Sequence, residues 1–285
     1  MKREKSTINC GGKLLDLSSP IVMGILNVTP DSFYDGGKFI DEKRWIEQVH
    51  KMTIDGADMV DIGAISTRPG ATVISQEEEL LRLIPTITSI RREFPNIPIS
   101  IDTWRSEVAV QAVNSGANII NDISGGLFDL EMFSTIAKLN VPYIMMHTGG
   151  KPEVMQINPT YSHIIHDIIQ FFATQLEKLR DLGVHDIILD PGFGFGKTLE
   201  HNYQLLAKLD SFQLFDLPIL VGVSRKSMIQ KLLEIQPEEA LNGTSIVHTL
   251  ALMKGASILR VHDVKEAVEA VKIVKKTNLY LSDHL

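Results

Sequence analysis

Eight short apolar runs in this 285-residue chain each lead into polar side chains. Those side chains are carboxylates, carboxamides, imidazoles and cations, the types that bind polar ligands. In chain order they are Asn27, the segment Ser66–Gly70, Asp102, Asn121–Asp122, His147, Asp190, the segment Ser224–Lys226, and Arg260 with His262 and Asp263. Any one of them would be ordinary at the start of a loop, but a polar group after every run predicts a functional site.

One part of this set suits an anion. Arg68, Arg260, His262 and Asn27 match a phosphate or pyrophosphate accompanied by a magnesium ion. Planar guanidinium groups pair with phosphate oxygens, and an amide oxygen is a ligand that magnesium accepts. These residues therefore predict a phosphorylated substrate.

Another part suits a flat heterocycle. Asp102, Asn121 and Asp190 can pair with amino and ring N–H groups, because a carboxylate accepts two parallel hydrogen bonds. Lys226 adds a donor for a carbonyl oxygen or a ring nitrogen. Together the two parts predict a site for a planar, nitrogen-rich ring that carries a phosphorylated arm.

A repeated unit positions these residues. An amphipathic segment ends at a glycine and an Ile, Val and Met-rich run follows, which predicts helix, cap and strand because glycine readily takes the left-handed conformation that closes a helix. The predicted strands are Ile21–Leu26, Met59–Ile62, Ile99–Ile101, Ile119–Ile120, Tyr143–Met146, Ile187–Leu189, Ile219–Val221 and Ile258–Leu259. Segments with helical spacing include Arg44–Met52, Glu77–Arg92, Ile164–Leu182 and Val264–Val274.

The predicted fold is α/β, a single (β/α)8 TIM barrel. The runs are continuously apolar, as in parallel strands buried on both faces, and eight of them alternate with helices. An open doubly wound sheet is the alternative, because periodicity does not reveal closure. The pattern around Gly11-Gly12 predicts an N-terminal β-hairpin, so that residues 1–18 cap the barrel floor within one domain spanning residues 1–285.

Composition excludes several classes of function. Twenty-eight Lys and Arg against 35 Asp and Glu give a net charge of −7, which disfavours a nucleic-acid partner. No apolar stretch approaches the ~18 residues that span a bilayer, so no membrane association is expected. Cys10 is the only cysteine and cannot form an internal disulfide, which favours a cytoplasmic location.

Some suggestive patterns carry less weight. The segment Gly192–Thr198 resembles a phosphate-binding P-loop, but Pro191 stands where the first glycine is required. His163, His166 and Asp167 have ligand-like spacing, but two histidines without a third convergent ligand are more often surface residues, so a metal site is not expected there. Phe193 and Phe195 lie in a glycine-rich loop, where either ring is a candidate to contact a ligand.

Longer motifs carry a family resemblance. They run in order from the first predicted strand to the eighth: Asn27–Phe33, Asp35–Gly37, Ser66–Ala71, Ile101–Thr103, Asn121–Gly126, Asp190–Thr198, Ser224–Ser227 and Arg260–Asp263. The first and third resemble the two signature loops of the dihydropteroate synthase family, and the others continue the match. The resemblance implies a barrel enzyme of folate synthesis that joins 4-aminobenzoate to 6-hydroxymethyl-7,8-dihydropterin diphosphate. It would release pyrophosphate and 7,8-dihydropteroate by a magnesium-assisted, S_N1-like displacement.

The resemblance also implies a role for individual residues. The pterin would be held by Asp102, Asn121, Asp190 and Lys226, and the diphosphate by Asn27, Arg68, Arg260 and His262, with Asn27 also a ligand of Mg²⁺. The aminobenzoate would be framed by Phe33, Thr67, Pro69, Phe195 and Ser227. Catalysis would rest on Asp35, Arg68, Lys226, Arg260 and His262. A homodimer and inhibition by sulfonamides are implied as well.

Two alternative functions stay open, and one departure from the family pattern bears on the second of them. The fifth-strand loop usually reads Met-His-Met-x-Gly-x-Pro, whereas this chain has Thr148 after His147. One alternative is a methyltetrahydrofolate-corrinoid methyltransferase of the same barrel group, although that enzyme has no use for a diphosphate site containing Arg68 and Arg260. The other is a pterin-binding paralogue without catalysis, against which the intact Asn27 and Lys226 argue.

Overall fold

Eight parallel strands form the centre of the molecule. The computed structural model describes residues 7–28, 38–65, 73–150 and 159–281. The barrel strands are β3 (Ile21–Asn27), β4 (Met59–Gly63), β5 (Ile99–Asp102), β6 (Ile119–Asp122), β7 (Tyr143–Met146), β8 (Ile187–Asp190), β9 (Leu220–Val221) and β10 (Ile258–Val261). They are preceded by β1 (Thr7–Cys10) and β2 (Lys13–Asp16).

The strands close into a ring. Hydrogen-bonded neighbours run in the order β8, β7, β6, β5, β4, β3, β10, β9. A parallel bridge between Leu189 and Ile219 joins the two ends of this series. The (β/α)8 barrel is therefore confirmed, and the open doubly wound sheet is wrong.

Helices surround the ring between the strands. They are α1 (Lys38–Asp55), α2 (Gln76–Glu93), α3 (Ser106–Asn114), α4 (Met132–Leu139), α5 (Ile164–Asp181), α6 (Leu199–Ala207), α7 (Ser227–Leu233), α8 (Leu241–Met253) and α9 (Val264–Leu281). At the start of α2 the Ser75 hydroxyl accepts the Glu78 N–H at 3.2 Å, which caps the helix. Gly56, Gly116, Gly183 and Gly255 all have positive φ, so the predicted sequence of helix, glycine and strand is confirmed. No helix in the described ranges is long and apolar enough to cross a membrane.

The predicted N-terminal hairpin is also present. Strands β1 and β2 pair antiparallel around a turn at Gly11 and Gly12. Ile8 and Cys10 of the hairpin pack in one buried cluster with residues from the starts of the barrel strands, among them Met23, Met59 and Ile144. The hairpin thereby covers the apolar N-terminal end of the barrel.

Successive side chains of each barrel strand alternate between two apolar environments, and this alternation decides which polar side chains point into the barrel. In β4, Met59 belongs to the interior cluster, whereas Val60 and Ile62 belong to the larger core between strands and helices. Because side chains alternate along a strand, Asp61 points into the barrel, two residues above Met59. The same step from an apolar interior residue leads from Ile119 to Asn121, and equally from Ile188 to Asp190 and from Ile258 to Arg260. The barrel interior is therefore apolar at its floor and polar at its mouth.

Candidate active site

The carboxyl ends of the barrel strands bring several predicted residues to one level. Strand register places Asn27 beside Gly63, Gly63 beside Asp102, and Asp102 beside Asn121. Asp190 ends β8 and Arg260 lies within β10. Residues separated by up to 233 positions in the chain therefore face the same mouth, as in TIM-barrel active sites.

An ion-pair network crosses this mouth through Arg260. Its Nε donates to Asp61 Oδ2 at 2.6 Å, and its Nη2 donates to Asp102 Oδ2 at 2.9 Å. Asp61 is fully buried and also accepts hydrogen bonds from the Ser100 hydroxyl at 2.6 Å and from Asn121 Nδ2 at 3.1 Å. Asp61 thus orients both the guanidinium group and the carboxamide that face the ligand side.

Burial and pairing oppose each other in this network. Desolvation raises the pKa of Asp102 to about 7, although the charge of Arg260 acts to lower it. Burial on its own would lower the pKa of Arg260, but Asp61 and Asp102 raise it above its ordinary value. Arg260 therefore stays charged, while burial and the charge of Arg260 act in opposite directions on the Asp102 carboxyl group.

A second group of residues lies around β8. The Asp190 carboxylate accepts the Gly192 N–H at 2.8 Å, and burial raises its pKa while Lys226 lowers it. Lys226 Nζ donates to the Phe193 carbonyl at 2.5 Å and lies 4.5 Å from the centre of the Phe195 ring. Desolvation lowers the pKa of Lys226 to about 8, with Asp190 opposing the shift. A carboxylate and an ammonium group therefore face the mouth from adjacent elements.

The two phenylalanines of the glycine-rich loop differ in position. Phe193 is fully buried and packs in the core between strands and helices, so it is not a candidate ligand contact. Phe195 is half-buried and packs against a small apolar cluster with Ile65, Ile123 and Met146 at the barrel mouth. Phe195 therefore keeps its place as a candidate ligand contact.

Residues after β9 and β10 complete the described part of the mouth. The His262 backbone N–H donates to the Ser224 hydroxyl at 3.2 Å, and its side chain is exposed. Ser227 is exposed as the first residue of α7. Arg225 forms two hydrogen bonds with Asp263, at 2.8 and 2.9 Å, and so ties the two loops together.

Some predicted residues lie outside the described ranges. They are Phe33, Asp35, Thr67, Arg68 and Pro69. Asn27, the predicted magnesium ligand, ends β3 with an exposed side chain. In the part of the chain that the structure describes, no group of three or more His, Cys, Asp or Glu residues is arranged to hold a metal ion. Asp167 accepts the backbone N–H groups of Ser162 and His163 at 3.1 and 3.3 Å.

Two buried charged residues were not anticipated from the sequence as part of the site. Asp61 lies inside an apolar predicted strand. An acidic residue in such a run requires a buried partner, and this requirement is the sequence feature that could have identified Asp61 as part of the site. In the sequence, Lys197 belongs to a segment that only partly matches a P-loop. In the structure its Nζ lies 3.1 Å from His147 Nδ1, beneath the barrel mouth. Thr148, which stands where the family usually has methionine, donates its hydroxyl to the Gly150 carbonyl at 2.9 Å, so this hydroxyl forms a hydrogen bond within its own loop.

Asp122, although it follows an apolar run, supports the fold. Its carboxylate accepts the Tyr143 hydroxyl at 2.6 Å and the N–H groups of Ser124 and Gly126 at 2.7 and 2.9 Å. We expect Tyr143→Phe to lower the free energy of unfolding by about 1.5–3 kcal/mol, because it removes a buried hydrogen bond to a charged group. Urea unfolding would measure this loss. Unchanged stability would contradict this role of the hydroxyl group.

Comparisons with known proteins agree with this arrangement. Residues 23–262 match the family model described as pterin binding enzyme. The dihydropteroate synthase of Escherichia coli strain K12 is 46% identical over 268 residues, covering 93% of this chain and 94% of the relative. That of Synechocystis is 47% identical over 255 residues, covering 88% of each chain.

Solved structures give the same result. The Yersinia pestis dihydropteroate synthase in complex with a sulfonamide drug is 43% identical, with a TM-score of 0.89 over 96% of this chain and 99% of that one. The Xanthomonas albilineans enzyme with 4-aminobenzoic acid is 37% identical, with a TM-score of 0.88 over 96% of this chain and 98% of that one. Since the family model matches residues 23–262 and the sequence and fold are shared with these relatives over most of both chains, the chain belongs to the pterin binding enzyme family and, within it, to the dihydropteroate synthases, which are transferases.

Proposed function

We propose that this chain condenses 4-aminobenzoate with 6-hydroxymethyl-7,8-dihydropterin diphosphate to give 7,8-dihydropteroate and pyrophosphate. The observation that carries the proposal is the placement of two carboxyl groups and a carboxamide beside two cations at one barrel mouth. Asp102, Asn121 and Asp190 supply acceptors and a donor for a pterin ring, and Arg260 lies 2.9 Å from Asp102 on the side where an anionic arm would extend.

Asp190 and Lys226 divide the edge of the ring between them. The carboxylate of Asp190 accepts hydrogen bonds from ring N–H and amino groups, and Lys226 donates to the ring carbonyl oxygen or a ring nitrogen. Asn121 is oriented because one N–H of its Nδ2 donates to Asp61 at 3.1 Å, which leaves the second N–H to donate and the carbonyl oxygen to accept. This pattern favours an amino-substituted heterocycle over a hydrocarbon ring.

The diphosphate would lie against Asn27, Arg260 and His262, together with Arg68 by family resemblance. A magnesium ion fits this donor set, because Asn27 offers an exposed amide oxygen and magnesium bound to a diphosphate needs few protein ligands. When bound, the ion would neutralise charge on the leaving pyrophosphate. Arg260 would serve the same purpose from the protein side through its charge. His262 would contribute a neutral N–H donor, because desolvation and the charge of Arg260 lower its pKa to about 4.

The aminobenzoate would be framed by Phe195 and Ser227, with Phe33, Thr67 and Pro69 added by family resemblance. Phe195 offers an apolar ring face that is half-buried and covered by Lys226 on one side. Ser227 offers a hydroxyl at the beginning of α7, within reach of a carboxylate arriving from solvent. We therefore place the arylamine nitrogen toward the pterin and its carboxylate toward solvent.

The reaction would begin with heterolysis of the bond between the exocyclic methylene carbon and the diphosphate oxygen. The electron pair leaves with pyrophosphate, and the positive centre is delocalised into the dihydropterin. Asp102 faces this centre, and Asp35 joins it by resemblance, so each carboxylate stabilises the cation electrostatically. The arylamine nitrogen then forms the new C–N bond and loses one proton, which pyrophosphate or water accepts.

The proposal is tested by product analysis. Purified protein would be supplied with the dihydropterin diphosphate, with and without magnesium and 4-aminobenzoate. Pyrophosphate release and the mass of dihydropteroate would both be recorded. Product that requires all three additions supports the proposal, whereas pterin binding without product identifies a paralogue that lacks catalysis.

Sulfonamides are expected to inhibit this chain competitively against 4-aminobenzoate. They present an arylamine and an acidic group in the same order as the substrate, so they would occupy the surface around Phe195 and Ser227. The apparent KM for 4-aminobenzoate should rise linearly with sulfonamide concentration while kcat stays constant. Inhibition that added 4-aminobenzoate does not relieve would contradict the assigned pocket.

We also propose a cytoplasmic homodimer. Ile246, Leu250 and Met253 form one face of α8 and are each about half exposed, at 52%, 48% and 48%. Leu232 and Leu233 of the adjoining α7 are exposed to a similar extent. Burying these apolar side chains of α7 and α8 against a second copy of the chain would remove apolar surface from water.

A further inference from the structure

A buried lysine lies directly beneath the candidate active site. The Lys197 side chain is 5% exposed. Its Nζ donates to the carbonyl oxygens of Gly192 and Phe195 at 2.8 and 3.1 Å, and lies 3.1 Å from His147 Nδ1. An ammonium group has three N–H donors, enough for these three contacts, and the His147 carbonyl oxygen lies farther away at 3.5 Å. None of the three acceptors is a carboxylate, so the contact set is not that of a simple ion pair.

Two of the acceptors, the carbonyl groups of Gly192 and Phe195, belong to a turn with little freedom to rearrange. Gly192, Gly194 and Gly196 all have positive φ, at 73°, 79° and 61°. A Cβ added at Gly192 would lie 1.9 Å from the His147 carbonyl oxygen, so the turn is pressed against the loop that follows β7. Asn202 holds the other side of the turn by accepting the Gly194 N–H at 2.7 Å. Lys197 is therefore the charged centre of a tightly packed turn.

This turn carries groups that the proposed function assigns to both substrates. The carbonyl oxygen of Gly192 accepts from Lys197, and the backbone N–H of Gly192 donates to Asp190 Oδ1 at 2.8 Å. The Phe195 carbonyl accepts from Lys197, and the Phe195 ring faces the mouth beneath Lys226. The Lys197 ammonium group is therefore linked through Gly192 to Asp190 on the pterin side, and through the Phe195 carbonyl group to the residue on the aminobenzoate side.

Keeping a cation at this place has a cost. Burial lowers the pKa of Lys197 to about 7, and Asp190 opposes that shift. Burial likewise lowers the pKa of His147, with the charge of Lys197 acting in the same direction, so the imidazole is neutral and its Nδ1 accepts from the ammonium group. A methionine of similar length would fill the same volume without this desolvation cost, so packing alone does not account for the lysine.

We propose that Lys197 is a positioning residue, whose ammonium group fixes the Gly192–Gly196 turn so that Asp190 and Phe195 are held at the distances their two substrates require. The inference rests on the proposed function. It goes beyond it by assigning a role to a residue that touches neither substrate. The role also explains why His147, which follows β7, is directed away from the mouth and toward the turn.

The test compares Lys197→Met with Lys197→Gln and with a matched control, Lys208→Met. Lys208 caps the end of α6 and is exposed, so its replacement makes the same charge change without touching the turn. Four quantities are measured at 25 °C: the Kd for the dihydropterin diphosphate alone, the KM for 4-aminobenzoate, kcat, and the melting temperature. The tautomer of His147 is read from nitrogen-15 NMR of histidine-labelled protein.

Lys197→Met is expected to raise both the Kd for the pterin and the KM for 4-aminobenzoate and to lower kcat/KM by about 100-fold, the size associated with a displacement near 1 Å. Lys197→Gln keeps an N–H donor and should lie between Lys197→Met and the wild type. Lys208→Met should match the wild type. In Lys197→Met, His147 should also lose its fixed Nε2–H tautomer.

A lower melting temperature with Kd, KM and kcat within twofold of wild type would overturn the inference, because it would show a role in stability alone. Should Lys197→Met fail to fold, Lys197→Gln decides between the same two outcomes. If the wild type binds the pterin but forms no dihydropteroate, the proposed reaction fails, while a weaker Kd in Lys197→Met still supports positioning of Asp190. An unchanged Kd in that case overturns the positioning role as well.

Discussion

Arg260→Ala is expected to lower kcat/KM by about 1,000-fold or more, because it removes the cation placed to stabilise the leaving pyrophosphate. It is also expected to reduce the free energy of unfolding. Asp61 is fully buried and Arg260 Nε donates to it at 2.6 Å, so the alanine variant leaves a buried carboxylate without its counter-ion. Breaking a buried pair in this way costs about 3–5 kcal/mol.

A second variant separates these two effects. In the double variant Asp61→Asn with Arg260→Met, the fully buried carboxylate and its counter-ion are both absent, so much of the lost stability should return while turnover stays low. The pairing of Arg260 with Asp102 is lost in both variants and so does not contribute to the difference between them. Arg92→Ala is a suitable control, since Arg92 pairs with Glu42 on the surface at 2.7 Å. Turnover and urea unfolding would be measured on all three proteins. Wild-type turnover in Arg260→Ala would disprove the assigned role of the guanidinium group.

Lys226→Met is expected to lower kcat/KM by about 100-fold with a smaller change in stability. The variant removes the ammonium donor that lies 4.5 Å from the centre of the Phe195 ring and faces the pterin edge. Unlike Arg260→Ala, it does not take a counter-ion away from a carboxylate at hydrogen-bond distance, so the expected loss of stability is smaller. Most of the loss should be in the Kd for the pterin. Lys231→Met, which makes the same change at an exposed position of α7, should behave as the wild type.

The pH dependence of kcat/KM gives an independent readout of Lys226. Its pKa is lowered to about 8, so the ammonium form is present below that pH and is lost as the pH rises through it. The wild type should therefore lose activity above about pH 8, and the residual activity of Lys226→Met should lack that basic limb. A basic limb that is the same in both proteins would assign it to another group.

Much of this protein was determined by local sequence. Continuous apolar runs and glycine caps predict eight strands and the helices between them, and the structure confirms these predictions. They could be made from the sequence because each element depends on a few neighbouring residues. The same holds for the hairpin around Gly11 and Gly12. The positions of Asp102, Asn121, Asp190 and Arg260 at one end of the barrel follow from parallel strand order alone.

Other properties were decided by the tertiary structure. A run that is apolar on both faces does not reveal which residues point inward, so the sequence does not single out Asp61 within β4 as part of the site. A glycine-rich loop likewise does not reveal that Phe193 packs in the core while Phe195 lies at the barrel mouth. Closure of the ring depends on a bridge between Leu189 and Ile219, and the central ion pair joins Arg260 to Asp61, 199 positions away. Contacts between such distant residues leave no periodic trace in the sequence. They arise only when the barrel closes and its interior becomes a low-dielectric space in which each charge must find a partner.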